Sequence, residues 1–124
     1  TEIYTLSLHD ALPIFWAVQF PLMPLAVTAP QTCRIVAFVR AEGAAREGAG
    51  MTLGVYDFAA KKMVASRTVP VQEISGTAYR AVDLGKVAIR PGRSFWAAPP
   101  GRPGAVKAVF VDRVVLLNEQ GEEK

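Results

Sequence analysis

Residues 32–40 read TCRIVAFVR, which places Cys33, Ile35 and Val39 on one face of an extended chain and Arg34 and Arg40 on the other. Because successive side chains of a β-strand point to opposite faces of its sheet, this period of two predicts a strand with one buried face. Residues 106–117 read VKAVFVDRVVLL and are apolar on both faces, which is typical of a strand in the centre of a sheet. The two stretches therefore predict a sheet with a buried interior.

Shorter runs of the same kind fill much of the remaining chain. Alternating or β-branched residues predict further strands over 51–58, 63–71, 79–84 and 94–98. Turn-forming residues lie between these runs, and no stretch has the periodicity of an amphipathic helix. Many short strands with regular turns predict an all-β antiparallel β-sandwich of the jelly-roll-like kind.

The connections between the strands can be assigned to the two ends of this sandwich, because successive antiparallel strands reverse direction. Glycines in 42–50 predict a loop there rather than a helix. Loops 42–50, 72–78 and 99–105 are expected at one end of the sandwich. Loops 59–62 and 90–93 are expected at the other end.

The composition fits one globular domain and narrows the possible chemistry. The chain has 124 residues, of which 51% are hydrophobic, so it can bury a core. Cys33 is the single cysteine, which excludes an internal disulfide, and its place among alternating apolar residues predicts a buried, unreactive thiol. His9 is the single histidine, so histidine-based catalysis and zinc binding depend on whether this residue is native.

The first fourteen residues, TEIYTLSLHDALPI, resemble the translation of a common short-read sequencing adapter, without a gap. We therefore expect residues 1–14 to be artefactual, residues 15–117 to form the sandwich module and residues 118–124 to form a polar tail. Without 1–14 the chain has no histidine. Lys and Arg then number 14 and Asp and Glu 9, which raises the formal charge from +3 to +5. Triads that need histidine are excluded on this interpretation.

Membrane and nucleic-acid partners are both disfavoured by the sequence. Residues 11–33 carry no charge, but four prolines interrupt them and no basic residue precedes the run, unlike a membrane span or a signal peptide. We interpret residues 15–27 as strand. Basic residues are spread singly along the chain, with only Lys61 and Lys62 adjacent, whereas nucleic-acid modules cluster them on one face.

Asp112 is the most unusual acid of the chain, because it lies inside the apolar stretch 106–117. Strand alternation places it on the face of Phe110 and Val114, where a carboxylate would need a partner. That partner is either an arginine or a structural calcium ion bound through oxygen ligands. No other cofactor or metal is predicted.

Aromatic residues on strands give the best candidate ligand site. Sugars present apolar C–H faces that pack on aromatic rings, while polar side chains bind the hydroxyl groups. The strand faces opposite the assigned core are expected to bring together one platform, which consists of Arg34, Arg40, Tyr56, Tyr79 and Asp83. The predicted ligand-binding residues are Arg40, Tyr56, Tyr79, Asp83 and Trp96. Alternatively these faces lie against a neighbouring sheet or domain, and Trp96, in the run SFWAAP, packs in the core.

The C-terminal half resembles a known class of module. The matching features are Tyr79 followed by Asp83-Leu84-Gly85, then Pro91-Gly92, Phe95-Trp96 and a last strand containing VDRV at 111–114. This pattern resembles carbohydrate-binding modules of the galactose-binding-like type in large bacterial polysaccharide-degrading proteins. The calcium-binding acids that such modules often carry near the chain start are not visible in this sequence.

The resemblance implies a non-catalytic accessory module that binds carbohydrate. It also implies a larger secreted or periplasmic parent enzyme, a glycoside hydrolase or lyase, whose catalytic domain lies upstream as a second partner. Two alternatives stay open: a purely structural module that packs against its catalytic domain, and a small glycan-active enzyme that uses two carboxylates.

Overall fold

A computed structural model describes residues 2–7, 13–14, 18–23, 29–42, 48–99 and 108–118 of the chain. All strand pairs are antiparallel, and the chain forms two packed sheets. The predicted all-β antiparallel sandwich is therefore confirmed. The elements are β1 (Glu2–Ser7), β2 (Pro13–Ile14), β3 (Val18–Pro21), β4 (Gln31–Glu42), β5 (Ala49–Asp57), β6 (Lys62–Pro70), α1 (Val71–Ile74), β7 (Arg80–Ile89), β8 (Arg93–Ala98) and β9 (Ala108–Asn118).

The strand order is that of a jelly roll. Sheet A has the order β1-β9-β4-β7, with β2 also pairing with β9, and sheet B has the order β3-β8-β5-β6. Apart from the consecutive pair β5 and β6, the neighbours in these two orders are distant in sequence, as in two interlocked Greek keys. β9 pairs with β1 on one side and β4 on the other, which matches its predicted central position. β1 and β2 belong to the segment that resembles an adapter, whose foreign origin stays a prediction.

The core fills the space between the inner faces of the two sheets. The alternation of β4 is preserved throughout, so Cys33, Ile35 and Val39 all point inward and are buried. Phe95 of β8 is fully buried and lies parallel to Phe20 of β3, with ring centroids 6.3 Å apart. Burial of each large apolar side chain contributes about 1.5–3 kcal/mol relative to exposure. The prediction of a buried Cys33 thiol is confirmed by its exposure of 1%.

Two β-bulges in sheet A change which face later residues occupy. The register of β4 against β9 shifts between Phe38 and Val39, which leaves Asp112 without a paired residue on β4. Because the extra residue reverses the alternation, Val114 points into the core while Asp112 is only half-buried. The prediction that Asp112 and Val114 share a face was therefore wrong. A second shift occurs in β7, where Leu84 is left without a paired residue on β4 and is followed by Gly85, whose φ of +88° suits glycine.

The described loops lie at the two ends of the sandwich, which we call its poles, as the reversal of direction between successive strands predicted. At one pole the amide of Val71 donates to the carbonyl of Gly48. At the other pole the amide of Phe58 donates to the carbonyl of Gly92. Glu42 pairs with Ala108, which places the start of β9 at the first pole, while most of the predicted loop 99–105 lies outside the described residues.

The chain after β6 differs in detail from the expected turn. It forms one helical turn, α1, whose Val71 and Ile74 are buried against the core. α1 is the only helix within the described ranges, and its four residues fall far short of the roughly 20 needed to cross a membrane.

Candidate functional site

The predicted ligand-binding residues lie on opposite sides of the sandwich. Arg40 and Asp83 belong to β4 and β7 of sheet A, and Tyr79 directly precedes β7. Tyr56 and Trp96 belong to β5 and β8 of sheet B. The prediction of one shared platform was therefore wrong, because alternation assigns a residue to the inner or outer face of a sheet but does not say which sheet its strand joins.

On sheet A, Arg40 is held by several neighbours. Its Nη1 donates to Glu42 Oε2 at 2.8 Å and to the carbonyl oxygen of Gly76 at 3.2 Å. Its guanidinium lies 3.9 Å from the ring centroid of Phe110 and 5.5 Å from that of Tyr79. The hydrogen bond to Glu42 is the main reason that the pKa of Arg40 is raised. Arg40 and Tyr79 are thus brought together.

Asp83 lies farther along the outer face of sheet A. It pairs with Val36, four residues before Arg40 on β4. Its carboxylate accepts a hydrogen bond from Arg34 Nη1 at 2.9 Å and one from the amide of Gly85 at 2.7 Å. Both carboxylate oxygens are therefore engaged within the protein.

Elsewhere on this outer face, arginines lie across aromatic rings beside apolar side chains. The guanidinium of Arg113 lies 4.2 Å from the ring centroid of Phe38, a cation–π contact like that of Arg40 on Phe110. Val115 and Leu117 of β9 are half-buried beside them. This face therefore combines apolar area with cations that are already paired.

On sheet B, the indole of Trp96 lies over the backbone of Gly54. The two residues are paired across β8 and β5. A Cβ atom at position 54 would approach indole carbons Cε2 and Cζ2 to 2.9 Å, so only glycine allows the ring to lie this low. The indole Nε1 donates to Met63 Sδ at 3.1 Å. Trp96 is half-buried on the outer face, and the alternative that it packs in the core is wrong; Phe95 occupies that place.

Two further aromatic rings continue from Trp96 along β5. Tyr56 pairs with Ser94 and Met63, and its ring meets that of Phe58 edge-on, with centroids 4.9 Å apart and planes at 75°. Phe58 and Met63 are 48% and 46% exposed, and among the described residues they are the large hydrophobic side chains that stand most open to solvent. We call Trp96, Tyr56, Phe58 and Met63 the aromatic strip.

Uncharged polar side chains border the aromatic strip. Gln19 of β3 is exposed and pairs with Trp96. Ser66 of β6 is exposed and pairs with Gly54. The hydroxyl groups of Thr52 and Thr68 lie 3.1 Å apart in the next pair. The surface thus offers apolar rings next to neutral hydrogen-bonding groups, which suits a ligand with both apolar and hydroxyl-bearing sides.

A buried ion pair fixes the turn that carries Phe58. Arg93 Nε donates to Asp57 Oδ2 at 3.0 Å, and Asp57 Oδ1 accepts from the amide of Ala60 at 2.9 Å. The amide of Ala60 and the guanidinium of Arg93 together lower the pKa of Asp57. Arg93 Nη1 also donates to the carbonyl of Ala88 at 2.9 Å. The turn after β5 is therefore tied to β7 and β8.

Several of these residues were not found from the sequence. Phe58 was the last residue of the predicted strand 51–58 and was assigned no role. In the structure it follows Asp57, the last residue of β5 that pairs with β6. Gly54 carries no chemistry of its own, and only the cross-strand pairing with Trp96 reveals its role. Met63 faces outward because a register shift between Val55 and Tyr56 displaces β6 by one residue. Bulges of this kind leave little trace in a single sequence.

The acidic side chains that the structure describes all contact an arginine. The prediction that Asp112 pairs with an arginine is confirmed, and the partner is its neighbour Arg113 at 3.2 Å. Within the described ranges no three His, Cys, Asp or Glu side chains form a group that could hold a metal ion. The structural calcium ion stays a prediction. The other pairs are Glu42–Arg40, Asp57–Arg93, Glu73–Arg67 and Asp83–Arg34.

Comparison with known proteins adds little to this picture. No protein-family model matches the chain, and no curated protein matches it significantly. Among solved structures it is similar to an arabinose-bound MgGH51 α-L-arabinofuranosidase, with 17% identity and a TM-score of 0.46 over 68% of this chain. The match covers 14% of the arabinofuranosidase chain. A similarity this distant does not bear on function.

Proposed function

We propose that the chain is a non-catalytic carbohydrate-binding module and that the aromatic strip on sheet B is its sugar-binding surface. The observation that carries the proposal is the indole of Trp96, which lies over Gly54 and is continued by Tyr56 and Phe58. Rings held in place on a sheet can pack against the C–H face of a sugar without losing much conformational freedom. The neutral groups at the border can bind its hydroxyls.

The proposal treats the module as an accessory part of a larger glycan-degrading enzyme that is secreted or periplasmic. Its support is the resemblance of the C-terminal half to accessory modules, together with the pairing of acids with arginines. A general acid must be protonated near neutral pH, whereas hydrogen bonds from Ala60 and Arg93 lower the pKa of Asp57. The aromatic strip itself contains no carboxylate. Catalysis would then belong to another domain of the parent chain.

A purely structural role is the second candidate, and the outer face of sheet A favours it. Phe38 and Phe110 lie under guanidinium groups beside half-buried Val115 and Leu117. Packing against a neighbouring domain would cover this apolar area while the arginines stay hydrogen-bonded. On this alternative the aromatic strip has no ligand.

Affinity electrophoresis and calorimetry of the 124-residue chain with a panel of polysaccharides test the proposal. Trp96→Ala and Tyr56→Ala should each weaken binding by about tenfold or more, because buried aromatic anchors dominate such interfaces. Phe38→Ala, which removes an aromatic ring from the opposite face, is the matched control and should bind as the unmodified chain does. Circular dichroism confirms that each variant is folded.

The same assay decides between the two groups of predicted residues. If Arg40→Ala or Asp83→Asn abolishes binding while Trp96→Ala does not, the sugar site lies on sheet A. If no polysaccharide retards the folded chain, the module does not bind carbohydrate and the structural alternative takes its place.

A further inference from the structure

We infer that the ligand of the aromatic strip is an uncharged polysaccharide whose chain lies along β5, an inference that rests on the proposed function. The first observation is the absence of charge from the outer face of sheet B. Among the described residues, no acidic or basic side chain occupies an outward position within the paired strands of this sheet. The outward residues include Gln19 and Pro21 of β3, Thr52, Gly54 and Tyr56 of β5, Met63, Ser66 and Thr68 of β6, and Ser94, Trp96 and Ala98 of β8.

This neutrality is specific to one side of a chain in which 20% of the residues are charged. The sequence contains 14 basic and 11 acidic residues. The outer face of sheet A carries several of them, including Arg34, Arg40, Asp83 and Arg113. The contrast between the two faces means that low overall charge does not explain the neutral surface on sheet B.

A charged group of a ligand needs an oppositely charged partner on the protein where the ligand covers apolar rings. A uronate or sulfate group is normally bound by arginine or lysine through charge-assisted hydrogen bonds. Without such a partner, a charged group that is moved from water onto aromatic rings loses hydration and gains little in return. Hydroxyl groups, in contrast, can exchange hydrogen bonds with Ser66, Gln19 and the Thr52–Thr68 pair. The nearest basic residues along the chain are Lys61, in the turn between β5 and β6, and Lys62, which begins β6 and pairs with the inward-facing Asp57.

The direction of the strip follows from the strand that carries it. Trp96 lies over Gly54, and Tyr56 and Phe58 follow at positions two and four residues further along. Side chains on one face of a strand are about 6.7 Å apart, and the ring centroid of Phe58, in the turn after β5, lies 4.9 Å from that of Tyr56, so the row extends over roughly 12 Å. That length exceeds one sugar ring, so the surface suits an extended oligosaccharide rather than a monosaccharide.

Affinity electrophoresis in gels that contain neutral or acidic polysaccharides tests the charge preference. The neutral gels contain xylan, glucomannan or β-glucan, and the acidic gels contain polygalacturonate or alginate. The runs are repeated at ionic strengths of about 0.01 M and about 1 M, between which the Debye length falls from about 30 to 3 Å. We expect retardation in at least one neutral gel, the same at both ionic strengths, and none in the acidic gels. The Lys61→Ala/Lys62→Ala variant should behave as the unmodified chain does.

Two results would overturn the inference and leave the proposed function intact. One is retardation in the acidic gels alone, weakened by salt and by the double lysine variant. The other is equal affinity for a monosaccharide and its hexasaccharide in calorimetry. Phe58→Ser, a variant at an exposed position, tests the second point. It should lower the affinity for the hexasaccharide severalfold more than the affinity for the disaccharide. No retardation in any gel would instead overturn the proposed function itself.

Discussion

Gly54 offers the sharpest test of how Trp96 is held. In Gly54→Ala the new methyl group would meet the backbone oxygen of Ala65 and, at 2.9 Å, two carbons of the Trp96 indole. The oxygen belongs to the β5–β6 pairing and cannot retreat without disturbing it, so the indole must lift. Overpacking of this kind costs about 1–3 kcal/mol. The lower conformational entropy of unfolded alanine offsets about 0.5–1 kcal/mol of that cost.

We therefore expect Gly54→Ala to reduce the free energy of unfolding by about 1–2 kcal/mol, which corresponds to a fall in Tm of about 4–8 °C for a domain of this size. Because the indole is displaced, the affinity for a polysaccharide that the unmodified chain binds should also fall about tenfold, at a temperature where the variant is folded. Chemical denaturation measures the first effect and calorimetry measures the second.

Gly50→Ala is the matched control. Its methyl group would be crowded by Ile74 Cδ1 at 2.8 Å and by Val71 Cα at 2.9 Å, but not by Trp96. It should therefore destabilise the fold and leave the affinity of the folded protein unchanged. The reasoning is refuted if Gly54→Ala is as stable as the unmodified chain, or if the folded variant binds sugar with undiminished affinity.

Three further predictions concern the fold and its charges. The pKa of Asp57 lies below its ordinary value in the folded state, so its stabilising effect is present above about pH 4 and is lost as the pH falls towards the folded-state pKa. Asp57→Asn should therefore be less stable than the unmodified chain at neutral pH. In urea titrations the variant should lose less stability on acidification than the unmodified chain does. Phe95→Ala removes a fully buried ring and should cost about 3–5 kcal/mol in thermal or chemical unfolding. The Cys33 thiol is buried, so a thiol reagent should label it at least tenfold faster in denaturant than in buffer; equal rates would contradict its place in the core.

The sequence predicted local structure better than it predicted assembly. Alternation in β4 identified its buried face from Cys33 to Val39, and the apolar stretch 106–117 identified a central strand. Alternation failed where a bulge inserts one residue, as at Asp112 and Leu84, because the pattern reverses without any change in composition.

The candidate site depends on pairing between strands that are distant in sequence, and the alternation of residues along one strand does not predict that pairing. Tyr56 and Trp96 were correctly placed on strands, but their common sheet and their separation from Arg40 follow only from the strand order. For Trp96, packing in the core was the alternative to ligand binding, because large apolar residues are usually buried. The glycine that accommodates its ring lies 42 positions earlier in the chain and is found only through the β5–β8 register.

The jelly roll places its two sheets back to back, so the aromatic strip and the arginine-covered face point in opposite directions across a core about 10 Å thick. A neighbouring domain docked on sheet A would leave sheet B open, and a polysaccharide on sheet B would not compete with it. Binding on one side would then tether the substrate close to whatever is attached on the other and raise its local concentration there, without any change in shape. The two candidate roles of the chain are in this sense compatible, since each needs a different side of the same sandwich.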